Sequence, residues 1–190
     1  MKRKHEPPHG ETGDLFGWMD ELPPKAPTKI ALSSRVHTKK KVVIHSDGGC
    51  LGNPGLGAWA ALIRDGAERI ISGGEKETTN NRMELMAAIQ ALRSLDEPCD
   101  VEFFTDSTYL RHGISQWIHD WKRRGWLTKG KEPVKNQDLW QALDRERVRH
   151  NVSWHWERGH VGNHENELCD QACQAEMAKM RDGTSEAVIP

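Results

Sequence analysis

The order of local patterns between residues 41 and 180 constrains this 190-residue chain more than any other feature. At Lys41 a polar, Pro-rich stretch gives way to Val42-Val43-Ile44, bounded by Asp47-Gly48-Gly49, the pattern of a buried strand that ends in a turn. Residues 57–64 and 68–72 flank Asp65-Gly66, a hairpin signal, so three strands follow one another. Residues 81–95 then carry Met83, Met86, Ala87, Ile89, Ala91, Leu92 and Leu95 at near-helical spacing. Residues 101–105 read as a strand, 107–118 as a helix bent near Gly113, and 137–150 as a helix with Leu139, Trp140 and Leu143 on its apolar side. Val152, Trp154 and Trp156 alternate with polar residues in a last strand, and 165–180 form a terminal helix. The order β-β-β-α-β-α-(basic loop)-α-β-α predicts an α/β fold, a mixed sheet flanked by helices.

Residues 1–40 lack such periodicity and read as a disordered extension, with 181–190 as a flexible tail. One apolar cluster interrupts the extension. Leu15-Phe16-Gly17-Trp18-Met19 lies among Asp14, Asp20 and Glu21 and stops at Pro23-Pro24. It reads either as an incidental cluster or flap against the core, or as a short protein-docking segment. The longest apolar run, Ala58 through Ile63, falls far short of the roughly 20 residues of a membrane-spanning helix. No apolar stretch follows the basic N-terminus, so a cytoplasmic protein without a secretory signal is expected. Cys50, Cys99, Cys169 and Cys173 are too few and too irregular for a disulfide framework.

The formal net charge of −1 excludes a uniformly basic nucleic-acid binder. It conceals a partition. Residues 1–41 hold nine Lys and Arg against five acids, and residues 117–135 hold six against two. In the second segment Trp117, Trp121 and Trp126 interleave with Lys122, Arg123, Arg124, Lys129, Lys131 and Lys135, offering cations to phosphates and flat faces to sugars and bases. The alternative is a helix whose tryptophans pack on the core beneath solvated cations, and for Trp121, Trp126 and Trp140 packing has at least equal standing. Trp117 is the better contact candidate.

Two acids stand where strands run out, Asp47 and Asp106, the region where ligands gather in open α/β sheets. Taken alone, Asp47-Gly48 also reads as a turn, Asp106 as a helix cap, Glu84 as the partner of Asn81 in a capping pair, and Asp170 as part of a solvated helix face. His160 and His164 with Cys169 and Cys173 imitate a zinc set, although a helix that aims Asp170 at a site turns both cysteines away from it.

Four blocks decide among these readings. Asp47-Gly48-Gly49-Cys50-Leu51-Gly52-Asn53-Pro54-Gly55, Thr78-Thr79-Asn80-Asn81-Arg82-Met83-Glu84-Leu85, Thr105-Asp106-Ser107, and Gly159-His160 followed by Glu165-Asn166-Glu167 and Asp170 resemble the signature blocks of ribonuclease HI of the bacterial type, in the family's order. The resemblance runs from about Val42 to Ala178 and includes the Trp- and Lys-rich insertion. It implies the ribonuclease H-like fold, with a five-stranded mixed sheet whose first three strands are antiparallel. It implies an endoribonuclease that hydrolyses the RNA strand of RNA–DNA hybrids, leaves 5′-phosphate and 3′-hydroxyl ends, and acts as a monomer. Asp47, Glu84, Asp106 and Asp170 become the metal-binding carboxylates and His160 an aid to proton transfer or product departure.

Carboxylates brought together repel one another unless a cation neutralises them, and hard oxygen donors suit Mg²⁺, with Mn²⁺ as a substitute, in up to two ions. The same resemblance places Cys50, Asn53, Asn80, Asn81 and Glu84 along the minor groove of the hybrid. It places Thr79 near a DNA-strand phosphate, and Trp117, Lys122, Arg123 and Arg124 in a basic handle that grips the DNA strand. Asn80-Asn81 also reads as a helix cap. Gly49, His45-Ser46, Thr108 and Asp120 depart from the family's usual residues, but none is a metal ligand. The rival functions are a hybrid-binding module without catalysis and a related nuclease acting on DNA.

Overall fold

The computed structural model describes residues 39–157 and 163–183. Strands β1 (Lys40–Cys50), β2 (Gly55–Arg64) and β3 (Glu68–Thr78) precede helix α1 (Asn80–Arg93), strand β4 (Cys99–Thr105) and helix α2 (Thr108–His112). A π-helical turn (Gly113–Trp117) leads to α3 (Ile118–Arg123), then come α4 (Gln137–Arg147), β5 (Asn151–Trp156) and α5 (His164–Arg181). The strands form one five-stranded sheet in the order β3-β2-β1-β4-β5. β1 pairs antiparallel with β2, and β2 antiparallel with β3. β1 pairs parallel with β4, and β4 parallel with β5. The expected mixed sheet is present.

Strand β2 is apolar on both faces because both are covered. Ala61 and Ile63 face the main core with Leu85, Ala88, Ile89 and Leu92 of α1, while Ala58, Ala60 and Leu62 meet Cys169, Cys173 and Met177 of α5. Helices thus flank the sheet on two sides. Among the described residues no helix is long and apolar enough to cross a membrane.

Several boundaries differ from the sequence reading, and at three of them the cause is visible. β1 does not end in a turn at Asp47-Gly48: the ladder to β2 runs on through Asp47 beside Ala60 to Cys50 beside Gly57. Cross-strand pairing therefore overrides the turn signal of two glycines, and only the parallel ladder to β4 stops earlier, at Ser46 beside Thr105. β3 continues past Ser72 because Gly73 and Gly74 pair with Trp59 and Ala58 of β2. Helix α4 stops at Arg147, and His150 instead turns inward, where its Nδ1 accepts a hydrogen bond from the Cys99 amide at 3.3 Å.

The bend expected near Gly113 is the π-helical turn. A Cβ at Gly113 would lie 1.8 Å from Cη2 of Trp140, so only glycine lets this segment approach the buried indole.

Candidate active site

Topology places the first two acids. Ser46 and Thr105 are the last parallel pair of β1 and β4, so the next residues, Asp47 and Asp106, emerge side by side at the end of that ladder. Glu84 arrives from the first turns of α1, which pack against Gly48. Each of the three offers one carboxylate oxygen, and these oxygens lie within 4.8 Å of one another. Asp47 and Glu84 are buried and Asp106 is half-buried. Asp170, on α5, lines the same cleft of ≈ 330 Å³, together with Asn80 and Asn81. Its carboxylate accepts a hydrogen bond from Gln174 Nε2 at 2.8 Å.

The electrostatics follow from this crowding. Burial first, then the charges of Asp47 and Asp106, push the Glu84 carboxyl well above the usual carboxylate range, and a hydrogen bond with the Asn80 side chain opposes the shift. Among the described residues Glu84 Oε2 is buried without a hydrogen-bond partner, and one Asp47 oxygen accepts from the Gly48 amide at 2.9 Å. A buried carboxylate oxygen left unpaired is costly, and a cation among three such groups removes both the repulsion and the deficit. Oxygen donors alone suit a hard divalent ion. The residues present therefore fit such an ion, which Asp47, Glu84 and Asp106 could hold between them.

Several alternative readings drop out. Ser107, not Asp106, caps α2, its hydroxyl accepting from the Leu110 amide at 3.2 Å. Thr79, not Asn80 or Asn81, is the N-cap residue of α1 and makes no side-chain cap bond. The Asn80 amide instead donates to the Asn53 side-chain oxygen at 3.1 Å, so the loop after β1 supplies the cap from outside the helix. Cys50 is half-buried, its Sγ donating to the carbonyls of Thr78 at 3.3 Å and Gly55 at 3.5 Å.

The zinc alternative finds no support among the described residues. The Sγ atoms of Cys169 and Cys173 donate to the carbonyls of His45 and Asp47, and burial pushes the Cys169 thiol up to about 12. Both cysteines are packing residues. His160, and the segment from Leu15 to Met19, lie outside the described residues.

The basic segment is more internally paired than its composition suggests. Lys122 Nζ lies 2.6 Å from Asp144 of α4, Arg123 pairs with Asp120, and Arg124 lies 3.4 Å from the same Asp120 carboxylate. Trp117 is half-buried and rests against Tyr109, His112 and Trp121, with centroids 6.0, 5.6 and 5.6 Å away. Trp121 and Trp126 pack on the main core, as one reading allowed.

Tyr109 escaped the sequence reading. It lines the cleft, and its hydroxyl accepts from Trp140 Nε1 at 3.0 Å and from Asn136 Nδ2 at 3.3 Å while donating to the Lys135 carbonyl at 3.3 Å. It therefore ties the cleft wall to the far end of the basic segment. Its position three residues after Asp106, as the chain's one tyrosine, was the available signal.

Comparison with known proteins agrees with this geometry. The RNase H family model matches residues 39–178. Ribonuclease HI of Brucella melitensis biotype 1 is 58% identical over 139 residues, covering 73% of this chain and 90% of that protein. Ribonuclease H of Chelativorans sp. is 57% identical over 143 residues, covering 75% and 88%. Among solved structures, LC9-RNase H1 superposes with a TM-score of 0.68 at 33% identity, covering 80% of this chain and 76% of that one. LC11-RNase H1 in complex with RNA/DNA hybrid shares the fold at 22% identity and a TM-score of 0.58, covering 74% and 99%. With its motifs in one cleft and a family match spanning most of its length, the chain belongs to the RNase H family.

Proposed function

We propose that this chain is an endoribonuclease that hydrolyses the RNA strand of RNA–DNA hybrids with Mg²⁺, or Mn²⁺ in its place, leaving 5′-phosphate and 3′-hydroxyl ends. One observation carries the reading: three carboxylates from β1, α1 and the end of β4 crowd within 4.8 Å of one another, two of them buried, at the floor of an open cleft. The relatives named ribonuclease H and HI, and the hybrid complex of LC11-RNase H1, agree with it. Residues 41–180 are the catalytic domain, with the monomer as the active unit.

Asp47, Glu84 and Asp106 would hold the ion, with Asp170 at the mouth of the same cleft. Divalent ions held there would supply activation of the attacking water and charge stabilisation of the leaving oxygen. The chain does the rest. Asn80 and Asn81, at the start of α1, present their side chains to the minor groove, where an RNA 2′-hydroxyl both donates and accepts. Asn53 fixes the first turn of that helix, and Cys50 and Thr79 border it. His160 moves a proton near neutral pH, so its loss slows the reaction without abolishing it. Trp117, Lys122, Arg123 and Arg124 hold the DNA strand at its phosphates and sugars.

The test uses the purified chain, Mg²⁺ and end-labelled duplexes of hybrid, RNA and DNA. Cleavage confined to the RNA of the hybrid, with 5′-phosphate ends, supports the proposal. Asp47→Asn and Asp106→Asn are expected to lower turnover by orders of magnitude while hybrid binding is retained. Binding without cleavage by the unaltered chain would identify a silent module, and efficient cleavage of the DNA duplex a nuclease of another kind.

A further inference from the structure

Asp106 lies in the short link between the end of β4 at Thr105 and the start of α2 at Thr108. The sheet ladder stops just before it, at Thr105 beside Trp156. A carboxylate on such a link reaches a cation reproducibly only if its main chain is fixed, because a site of this kind tolerates shifts of about 0.5 Å. Strand β5 supplies a fixture. Trp156 Nε1 donates to the main-chain carbonyl of Asp106 at 3.1 Å, and the Glu157 amide donates to the carbonyl of Thr105 at 3.0 Å. Two successive carbonyls are thereby held from β5, one by main chain and one by an indole.

The indole is itself held. The Arg111 guanidinium carbon of α2 lies 5.0 Å from the Trp156 ring centroid, within cation–π range. The next turn supports Arg111, Ser115 Oγ donating to its carbonyl at 2.7 Å. Burial does not account for Trp156, which remains 42% exposed, whereas Trp154, two residues earlier on the same face of β5, packs on the core. A large ring left half in water, with its one donor aimed at the carbonyl of a candidate metal ligand, is placed for that hydrogen bond.

Resting on the reading of Asp106 as a metal-holding carboxylate, we infer that Trp156 is a positioning residue for Asp106, with Arg111 holding the indole in place. The hydrogen bond limits rotation of the Asp106 peptide, and so keeps the carboxylate turned toward Asp47 and Glu84. Trp156 touches neither substrate nor ion. Its contribution is to the affinity of the site for its cation.

Trp156→Phe keeps a ring for Arg111 and removes the donor. Mg²⁺ titrated calorimetrically into metal-stripped protein is expected to bind about tenfold more weakly, the usual scale for partners that orient a ligand. The turnover lost at low Mg²⁺ should return at saturating Mg²⁺, with KM for the hybrid unchanged. Arg111→Met should weaken Mg²⁺ binding in the same direction by less. A merely structural tryptophan would lower the melting temperature and leave Mg²⁺ affinity as it was, and that result overturns the inference.

A measurement on the unaltered chain guards against a variant that does not fold. The Trp156 indole proton resonance, assigned through space, should be protected from solvent exchange and should shift together with the Asp106 amide as Mg²⁺ is added. An unprotected indole that does not respond while Mg²⁺ binds also overturns it. If the unaltered chain cleaves no hybrid, yet Trp156→Phe still weakens Mg²⁺ binding, the proposed function fails and the positioning role stands.

Discussion

Gly48 and Glu84 pack so closely that a Cβ added to Gly48 would stand 2.3 Å from the Glu84 amide nitrogen and 2.4 Å from the Met83 carbonyl carbon. The glycine is therefore what lets α1 come down on β1 far enough for Glu84 to join Asp47 and Asp106. Gly48→Ala must push the helix away, because the atoms it meets are backbone. It is expected to cost about 1–3 kcal/mol of stability, the usual range for overpacking. Turnover should drop by about 10²-fold, since displacements near 1 Å at a reacting centre carry penalties of that size. Thermal melting and hybrid-cleavage kinetics check both. Gly49→Ala is the control: the nearest atom to its added Cβ is Met177 Cε at 3.9 Å, so it should keep its stability.

That relationship also marks how far the sequence could be read. The apolar run of β2, the periodicity of α1 and the alternation of β5 are local, and each element is present where local pattern placed it. The acids were legible as candidates because their blocks resemble a family, not because spacing required them to meet. What was not legible depends on residues remote in the chain. Asp47 belongs to a strand because Ala60 pairs with it. Trp140 needs Gly113, the Asp106 carbonyl meets Trp156, and the Cys99 amide meets His150. None of these pairings leaves a period or a motif behind. Charge was legible as composition only: the partner of Lys122, Asp144, is set by how α3 lies against α4, whereas the pairs of Arg123 and Arg124 with Asp120 are neighbours within one helical turn whose spacing was there to be read.

Glu84 makes the metal-free protein weaker at neutral pH than it needs to be. Burial and the charges of Asp47 and Asp106 raise its folded pKa above the ordinary value of 4.5. A carboxyl raised in the folded state favours folding fully below its unfolded pKa, and that benefit is lost as pH climbs through the folded value. Glu84→Gln removes the titration. In EDTA the variant should melt above the unaltered chain at pH 7–8, with the gap closing as pH falls toward about 4.5. Added Mg²⁺ should reverse the order, because only the unaltered chain gains a full donor set. Equal melting curves in EDTA across this range would refute the crowding of the three acids.

His150 makes the opposite contribution. Burial, and then the cation of Arg149, lower its pKa below the ordinary 6.5, and its Nδ1 accepts from the Cys99 amide, which requires the neutral ring. A histidine lowered in the folded state supports folding above its unfolded pKa, and the support is lost as pH falls through the folded value. The melting temperature of the unaltered chain should therefore fall more steeply between pH 7 and pH 5 than that of His150→Gln. The variant begins lower, since a buried donor at the start of β4 loses its partner. Parallel slopes for the two proteins would remove His150 from the acid response.

Asp120 restrains the basic segment. Its carboxylate pairs with both Arg123 and Arg124, and these side chains lower its pKa, the Arg123 hydrogen bond most. All three stand at the surface, where ion pairs add little to stability, so Asp120→Asn should leave the melting temperature nearly unchanged. Its effect falls on binding. Two guanidinium groups released from an internal carboxylate become available to phosphates, and each new phosphate contact adds about 0.9 to the steepness of log affinity against log salt. Hybrid affinity at low salt should rise, with a slope steeper by up to about 2. Lys122 should behave differently, because its partner Asp144 also holds Arg147 at 2.7 Å and lies mostly buried on α4. Asp144→Asn is therefore expected to loosen the packing of α3 on α4 and lower the melting temperature before any gain in affinity appears. Fluorescence anisotropy with a catalytically blocked Asp47→Asn background measures the slopes. An Asp120→Asn slope no steeper than that of its parent would show that Arg123 and Arg124 do not meet the hybrid.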